Sequence, residues 1–269
     1  MTAVGPRPGA GDGVRSRAPL WALVLVGLLA GYLSGLFGVG GGIIVVPALL
    51  MLGYDQRRAA GTSVAAILPT AIVGTITYGI AGHVDWIAGA ALAVGIIAGA
   101  QVGSLLLARL PRPALFWSFL VFLVFSGVSL WLSIPQRADA IELTVVTVIA
   151  LVCTGVVTGI LSGILGVGGG IVVVPALMFF FGAGDLVAKG TSLFMMIPGS
   201  ISGTIGNVRR SNVDVRGGLS VGLAACLASP LGVLTATSLT PLVSNAAFSV
   251  LLAAITVQLI VRNVRAARR

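Results

Sequence analysis

The sequence predicts an all-α polytopic membrane protein made of two inverted-topology repeats, each of about five transmembrane segments, with short helices starting at Gly-rich breaks. Three observations predict it. The 269 residues are 57% hydrophobic and only 9% charged, with a mean hydropathy of +1.11, whereas a water-facing surface asks for roughly 25% charged residues. The apolar residues fall into ten segments separated by short polar or glycine-rich joints. One 16-residue motif occurs twice, 128 residues apart.

The segments run over 19–38, 41–53, 58–80, 86–108 and 112–134, then 141–165, 169–182, 188–208, 217–238 and 242–263. Most approach the roughly 20 residues that a helix needs to cross a bilayer. Segments 41–53 and 169–182 reach only about 20 Å at 1.5 Å per residue, which sets their glycine-rich starts below the membrane surface. The first segment follows Arg7, Arg15 and Arg17 like a signal peptide, but its pattern returns in mid-chain, which marks it as a mature helix. Residues 1–18 are predicted to be a disordered tail, 19–134 the first repeat, 135–140 a linker, 141–263 the second repeat and 264–269 a second tail. When every segment crosses once from a cytoplasmic N-terminus, 14 of the 16 basic residues lie inside, and only Arg137 and Lys189 lie outside. The expectation is a multi-pass plasma-membrane protein with both termini cytoplasmic.

Residues 34–49 read SGLFGVGGGIIVVPAL and residues 162–177 read SGILGVGGGIVVVPAL. Gly27, Gly31 and Gly35 match Gly155, Gly159 and Gly163 at the same offset. At an offset of 129, Gly61-Thr62-Ser63 matches Gly190-Thr191-Ser192, and Pro69, Gly74, Thr75 and Asp85 match Pro198, Gly203, Thr204 and Asp214. An odd number of crossings per repeat turns the halves opposite ways in the membrane, an arrangement typical of secondary transporters. Duplication for bundle stability is the competing explanation, though it does not call for two interrupted helices at equivalent places.

Three adjacent glycines cost roughly 1 kcal/mol each against alanine, so helices should break at Gly38–Gly42 and Gly166–Gly170. The helix that follows each break opens with amides that lack intrahelical partners and carry the positive end of the dipole. Gly40, Gly41, Gly42, Gly168, Gly169 and Gly170 are therefore candidate anion-binding positions. Close helix packing would use the same glycines. Neither run completes a nucleotide-binding pattern, since Ile43 stands where a third glycine is needed and no Lys–Ser/Thr pair follows. Thr62, Ser63, Thr191 and Ser192 could donate to substrate oxygens, cap a helix or back-bond to a carbonyl. Pro69 and Pro198 remove a helix hydrogen bond and are candidate hinges for alternating access. Tyr78 and Asn207, at equivalent positions, are either packing hydrogen bonds or pathway residues.

Other functions find little material. The net charge of +9 comes from clusters at segment ends and tails, without the footprint of nucleic-acid binding. Cys153 and Cys226 lie in apolar runs and suggest neither disulfide nor metal, and with one histidine and seven acids no cofactor and no enzymatic activity is expected. No charged residue sits in mid-segment, so no buried carboxylate relay is visible, and Asp85 and Asp214 read as solvated helix starts.

The duplicated G-x-G-G-G-x-x-x-x-P pattern runs from Gly38 to Pro47 and from Gly166 to Pro175, and each copy is followed by Gly-Thr-Ser and a proline. With this pattern the chain resembles the TauE/SafE family of sulfite-exporter-like membrane proteins over residues 20–263. The resemblance implies export or uptake of a small anion such as sulfite, an organosulfonate or another sulfur-containing or organic anion. The expected function is secondary transport, with the glycine loops holding substrate and the repeats rocking about them; the alternative is an anion channel or a non-transporting membrane subunit. The partners are the lipid bilayer and the anion. A coupling ion, H+ or Na+, and a homodimer are compatible with the sequence, which specifies neither.

Overall fold

The structure is a computed structural model, and it describes residues 18–132, 141 and 143–267. The expected linker 135–140, Arg137 and nearly all of the N-terminal tail lie outside the described residues. Among those described are ten helices: α1 Leu20–Phe37, α2 Gly42–Met51, α3 Gln56–Ile80, α4 Trp86–Arg109, α5 Arg112–Leu132, α6 Val145–Leu165, α7 Gly170–Phe180, α8 Asp185–Arg209, α9 Val215–Ser238 and α10 Pro241–Ala267. Six of them are long and apolar enough to span a membrane, and α2 and α7 are the short apolar pair. Helix α10 continues into the stretch read as a C-terminal tail, and α8 begins three residues before its predicted segment, at Asp185.

Carboxylates and a hydroxyl start several of these helices. Asp55 caps α3 by accepting from the Arg57 and Arg58 amides. Asp85 caps α4 through Ala88 N–H, Thr144 caps α6 through Thr147 N–H, and Asp214 caps α9 through Gly217 N–H. Each bond satisfies a donor that the first helical turn leaves open.

The tightest packing joins helices from different repeats. Gly27, Gly31 and Gly35 of α1 lie in turn on Val221, Ala225 and Ser229 of α9, so these helices run parallel. Gly95, Gly99 and Gly103 of α4 lie likewise on Val152, Val156 and Ile160 of α6. A Cβ added at Gly31 would stand 2.5 Å from Ala225 Cα, so backbone meets backbone. In lipid, where tails are as apolar as leucine, helices associate through this close approach of small residues. The opposite face of α9 carries Leu223, Leu227, Leu231 and Leu234, all exposed. Small residues inward and large apolar residues outward suit a helix bathed in hydrocarbon.

Helix α3 lies along α9, with Gly218 on Thr62 and Ala65 and Gly222 on Ala66 and Pro69. Helix α8 lies along α4 in the same way, with Gly89 on Thr191 and Phe194 and Gly199 on Ile96. These contacts define two mixed units, α1–α3–α9 and α6–α8–α4. They meet where α3 crosses α8: Gly74 abuts Leu193, Gly203 abuts Val64, and Gly190 abuts Tyr78, an antiparallel pairing. The sequence-equivalent helices α3 and α8 thus point in opposite directions. Helices α5 and α10 pack on each other at the periphery.

Candidate functional site

Both glycine runs break the chain as their composition requires. Gly38 ends α1 at φ 69°, its amide donating to Ser34 O at 2.8 Å, and Gly166 ends α6 at φ 73° with the same bond to Ser162 O. Gly40 and Gly41 follow at φ 74°, and Gly168 and Gly169 at 88° and 87°. These positive angles are ones that side-chain-bearing residues avoid. Gly42 and Gly170 have ordinary angles and are glycine for want of space. A Cβ on Gly42 would meet Gly166 O at 2.6 Å, and one on Gly170 would meet Val39 Cα at 2.7 Å. Each short helix therefore begins against the turn that ends a helix of the other repeat.

The amides at these starts are the main chemical feature of the site. Ile44 and Val45 N–H close onto Gly41 O, and Val172 and Val173 N–H onto Gly169 O. The amides of Gly40 through Ile43 and of Gly168 through Ile171 make no hydrogen bond among the described residues. All eight residues are buried. Buried backbone donors without acceptors are rare in folded proteins. Here they gather at two helix N-termini, where the dipoles add to their attraction for negative charge.

The hydroxyls hold the scaffold around these turns. Ser63 Oγ donates to Gly166 O at 2.7 Å, and Ser192 Oγ donates to Gly38 O. These two bonds bridge the mixed units. Thr62 Oγ1 accepts from Asp214 N–H and Thr191 Oγ1 from Asp85 N–H, both at 2.9 Å, and these bonds lie within a unit. Tyr78 donates its phenol proton to Gly35 O at 2.7 Å, tying α3 to α1. Asn207, its equivalent, donates to Gly203 O of its own helix and leaves Oδ1 without a partner among the described residues. Pro69 and Pro198 sit half-buried inside α3 and α8.

Two groups at the site escape a reading of the sequence. Ile67 and Met196, equivalent at offset 129, both lie against Gly40 and Gly168 and put an apolar plug beside the turns. They look like ordinary core residues until the repeats are superposed. The second group is an ion pair: Lys189 Nζ lies 3.2 Å from Asp185 Oδ2 and donates to Ser244 Oγ at 2.8 Å, with the two side chains 4% and 1% exposed. The positive-inside count placed Lys189 on the outer side, and the predicted segment, which starts at residue 188, left Asp185 out. The Asp–Lys spacing of four was the available signal, since it puts both side chains on one helix face.

At the end of the bundle, Tyr54 donates to Asp214 Oδ2 at 2.7 Å. Burial pulls the Asp214 carboxyl upward, but this bond, the Gly217 amide and the nearby Arg58 charge hold it below the ordinary value. Burial and the same carboxylate push the Tyr54 phenol up to about 12.

A multi-pass, all-α membrane bundle with two glycine-broken helix pairs defines a class of membrane protein associated with transport. The chain belongs to the sulfite exporter TauE/SafE family, whose model matches residues 1–130 and 151–269. It is 27% identical to "Probable membrane transporter protein YunE" of Bacillus subtilis (strain 168) over 71% of this chain and 79% of the relative. A "Probable membrane transporter protein" of Haemophilus influenzae is 33% identical over 57% of this chain and 61% of its own length. "Sulfite exporter TauE/SafE family protein 1" of Arabidopsis thaliana is 38% identical over 24% of this chain and 15% of its own. No solved structure matches the chain.

Proposed function

We propose that this protein is a secondary transporter, working as an exporter, that carries a small anion across the plasma membrane by alternating access, with both termini in the cytoplasm. Sulfite, an organosulfonate or a related sulfur-containing or organic anion is the substrate class, in keeping with the family's description. The observation that carries this reading is the set of eight buried, unpartnered amides at the starts of α2 and α7. Anion oxygens would accept from Gly40, Gly41 and Gly42 in one turn and from Gly168, Gly169 and Gly170 in the other. Side-chain-free turns let the anion reach the backbone without a fixed countercharge.

The packing redefines which parts move. Repeat rocking against repeat would tear α1 from α9 and α4 from α6, where backbone rests on backbone. The seam between the mixed units, where α3 and α8 meet through side chains and backbone touches backbone at the glycine turns, opens instead. Opening withdraws Met196 from Gly40 and Ile67 from Gly168 and releases Ser63 and Ser192 from Gly166 and Gly38, so both serines become donors for the anion. Pro69 and Pro198, within the two seam helices, supply the hinges. Thr62 and Thr191 stay bound to their units and hold the Gly-Thr-Ser segments of α3 and α8 in place, and Tyr78 and Asn207 flank the route.

The test is anion flux with purified protein in sealed vesicles. Saturable sulfite movement with counterflow is expected. Conductance that rises with driving force without saturating would make the protein a channel, and absence of any anion flux across the substrate class would leave a non-transporting subunit.

A further inference from the structure

We infer that Thr158 is the residue by which the α7 turn selects a three-oxygen sulfur anion, a sulfite or a sulfonate, over a carboxylate; this rests on the anion reading above and narrows its substrate class. Three observations carry it. Thr158 is 0% exposed, and its Oγ1 has no hydrogen-bond partner among the described residues. The side chain is directed at the turn, since Thr158 Cγ2 fills the space that a Cβ on Gly169 would need. The next nearest atoms to that position are apolar, Met195 Cε at 3.5 Å and Ile96 Cδ1 at 3.7 Å. The hydroxyl therefore lies beside the unpartnered amides of Gly168 through Ile171, among apolar neighbours. The third observation is an asymmetry. At offset 128 the equivalent of Thr158 is Ala30, which stands against Gly41 in the other turn, its Cβ 3.2 Å from where a Gly41 Cβ would be. The two turns share their backbone geometry and differ in this one donor.

Packing alone gives no reason for a free hydroxyl at this place. A threonine inside a helix can donate to the carbonyl one turn earlier, and Thr70, Thr77 and Thr154 do so, to Ala66, Val73 and Ala150. Thr158 makes no such bond. A buried donor left without an acceptor is costly, and an arriving oxyanion removes that cost. The chemistry of selection lies in the number of oxygens. A carboxylate presents two, in one plane, and neighbouring amides of a single turn can take both. A sulfite or sulfonate carries a third oxygen outside that plane. Its donor has to come from another element, and Thr158 brings one from α6 to the amides at the start of α7. The hydroxyl adds a hydrogen bond to a charged acceptor without adding a charge of its own. Ala30 offers no donor, so the α2 turn does not discriminate by this means.

Calorimetric titration of the purified, full-length protein with methanesulfonate and with acetate provides the test. The two anions share a methyl group and a single negative charge and differ in the third oxygen. Wild type is expected to bind methanesulfonate more tightly. In Thr158→Val, which keeps the shape that packs on Gly169, the ratio of methanesulfonate to acetate affinity should fall roughly tenfold, the worth of one hydrogen bond to a charged group. Thr158→Ser keeps the hydroxyl and should hold the wild-type ratio, whereas a merely structural role would lower both affinities together in either variant. An unchanged ratio in Thr158→Val, or equal losses for the two anions, would overturn the assignment. Methanesulfonate binding that vanishes in Gly169→Leu but is untouched in Thr158→Val would sink Thr158 and leave the amide site standing. Wild-type protein that binds neither anion, nor sulfite, would overturn the amide site and this inference with it.

Discussion

Thr62 and Thr191 show how one residue type can look like a substrate contact and serve as a brace. Each hydroxyl receives the amide of the aspartate that caps a helix in the other repeat. Thr62→Val or Thr191→Val leaves that amide without its acceptor and should cost about 1–3 kcal/mol of stability, measured by unfolding in detergent. Anion affinity per folded molecule should change little; a large affinity loss with unchanged stability would return the threonines to the substrate. The turns make the opposite prediction. Gly41→Leu or Gly169→Leu forces a side chain onto φ 74° or 87°, and at Gly41 the new Cβ would stand 2.8 Å from Ala30 O. Sulfite binding should disappear while membrane insertion continues, as judged by calorimetry on purified, folded variants. The Tyr54–Asp214 bond sets a pH response at the same scale. Asp214's lowered value means its contribution is complete above the ordinary carboxylate range and is lost as pH falls through the folded-state value. The raised phenol keeps the bond whole until pH climbs past the ordinary tyrosine range. Tyr54→Phe should therefore begin acid unfolding at higher pH than wild type, which a circular-dichroism titration would register.

For a pair of helices, a glycine matters according to what stands beside it. Gly31 rests on the backbone of Ala225, which cannot turn aside as a side-chain tip can. Gly53 has φ 91° but nothing within 4 Å. Gly53→Ala thus carries only local strain, on the order of 1 kcal/mol, whereas Gly31→Ala pushes α1 off α9 along its length. Thermal denaturation of the two variants should rank Gly31→Ala far below Gly53→Ala. Similar losses would mean that the α1–α9 contact is looser than its geometry implies.

For the whole molecule, the decisive matter is which surfaces separate. Where α3 crosses α8, side chains face small residues, Val64 against Gly203 and Leu193 against Gly74. A Cβ at Gly203 would lie 3.0 Å from Val64 Cγ1, a spacing that suits a sulfur in the Cγ1 position bonded onward to a second sulfur. With Cys153 and Cys226 replaced, oxidised Val64→Cys/Gly203→Cys should lose sulfite flux and recover it on reduction. Full activity in the oxidised form would show that the seam stays shut during transport.

The helices and their breaks were readable from composition because hydrocarbon and backbone geometry act on local stretches of chain. About 20 apolar residues make a span, and three glycines unmake a helix, wherever the rest of the chain lies. The short helices begin at Gly42 and Gly170, within a residue of the expected breaks. The partners of the hydroxyls and the burial of Asp185 and Lys189 were not readable, since they depend on packing between distant segments. A Ser192 hydroxyl meets Gly38 across 154 residues, and only the fold selects it over water or substrate. By itself the sequence determined a membrane-bound, twice-repeated helical chain with glycine turns. The tertiary structure alone decided that the repeats interlock into mixed units, because the closest approaches of backbone occur between helices of different halves.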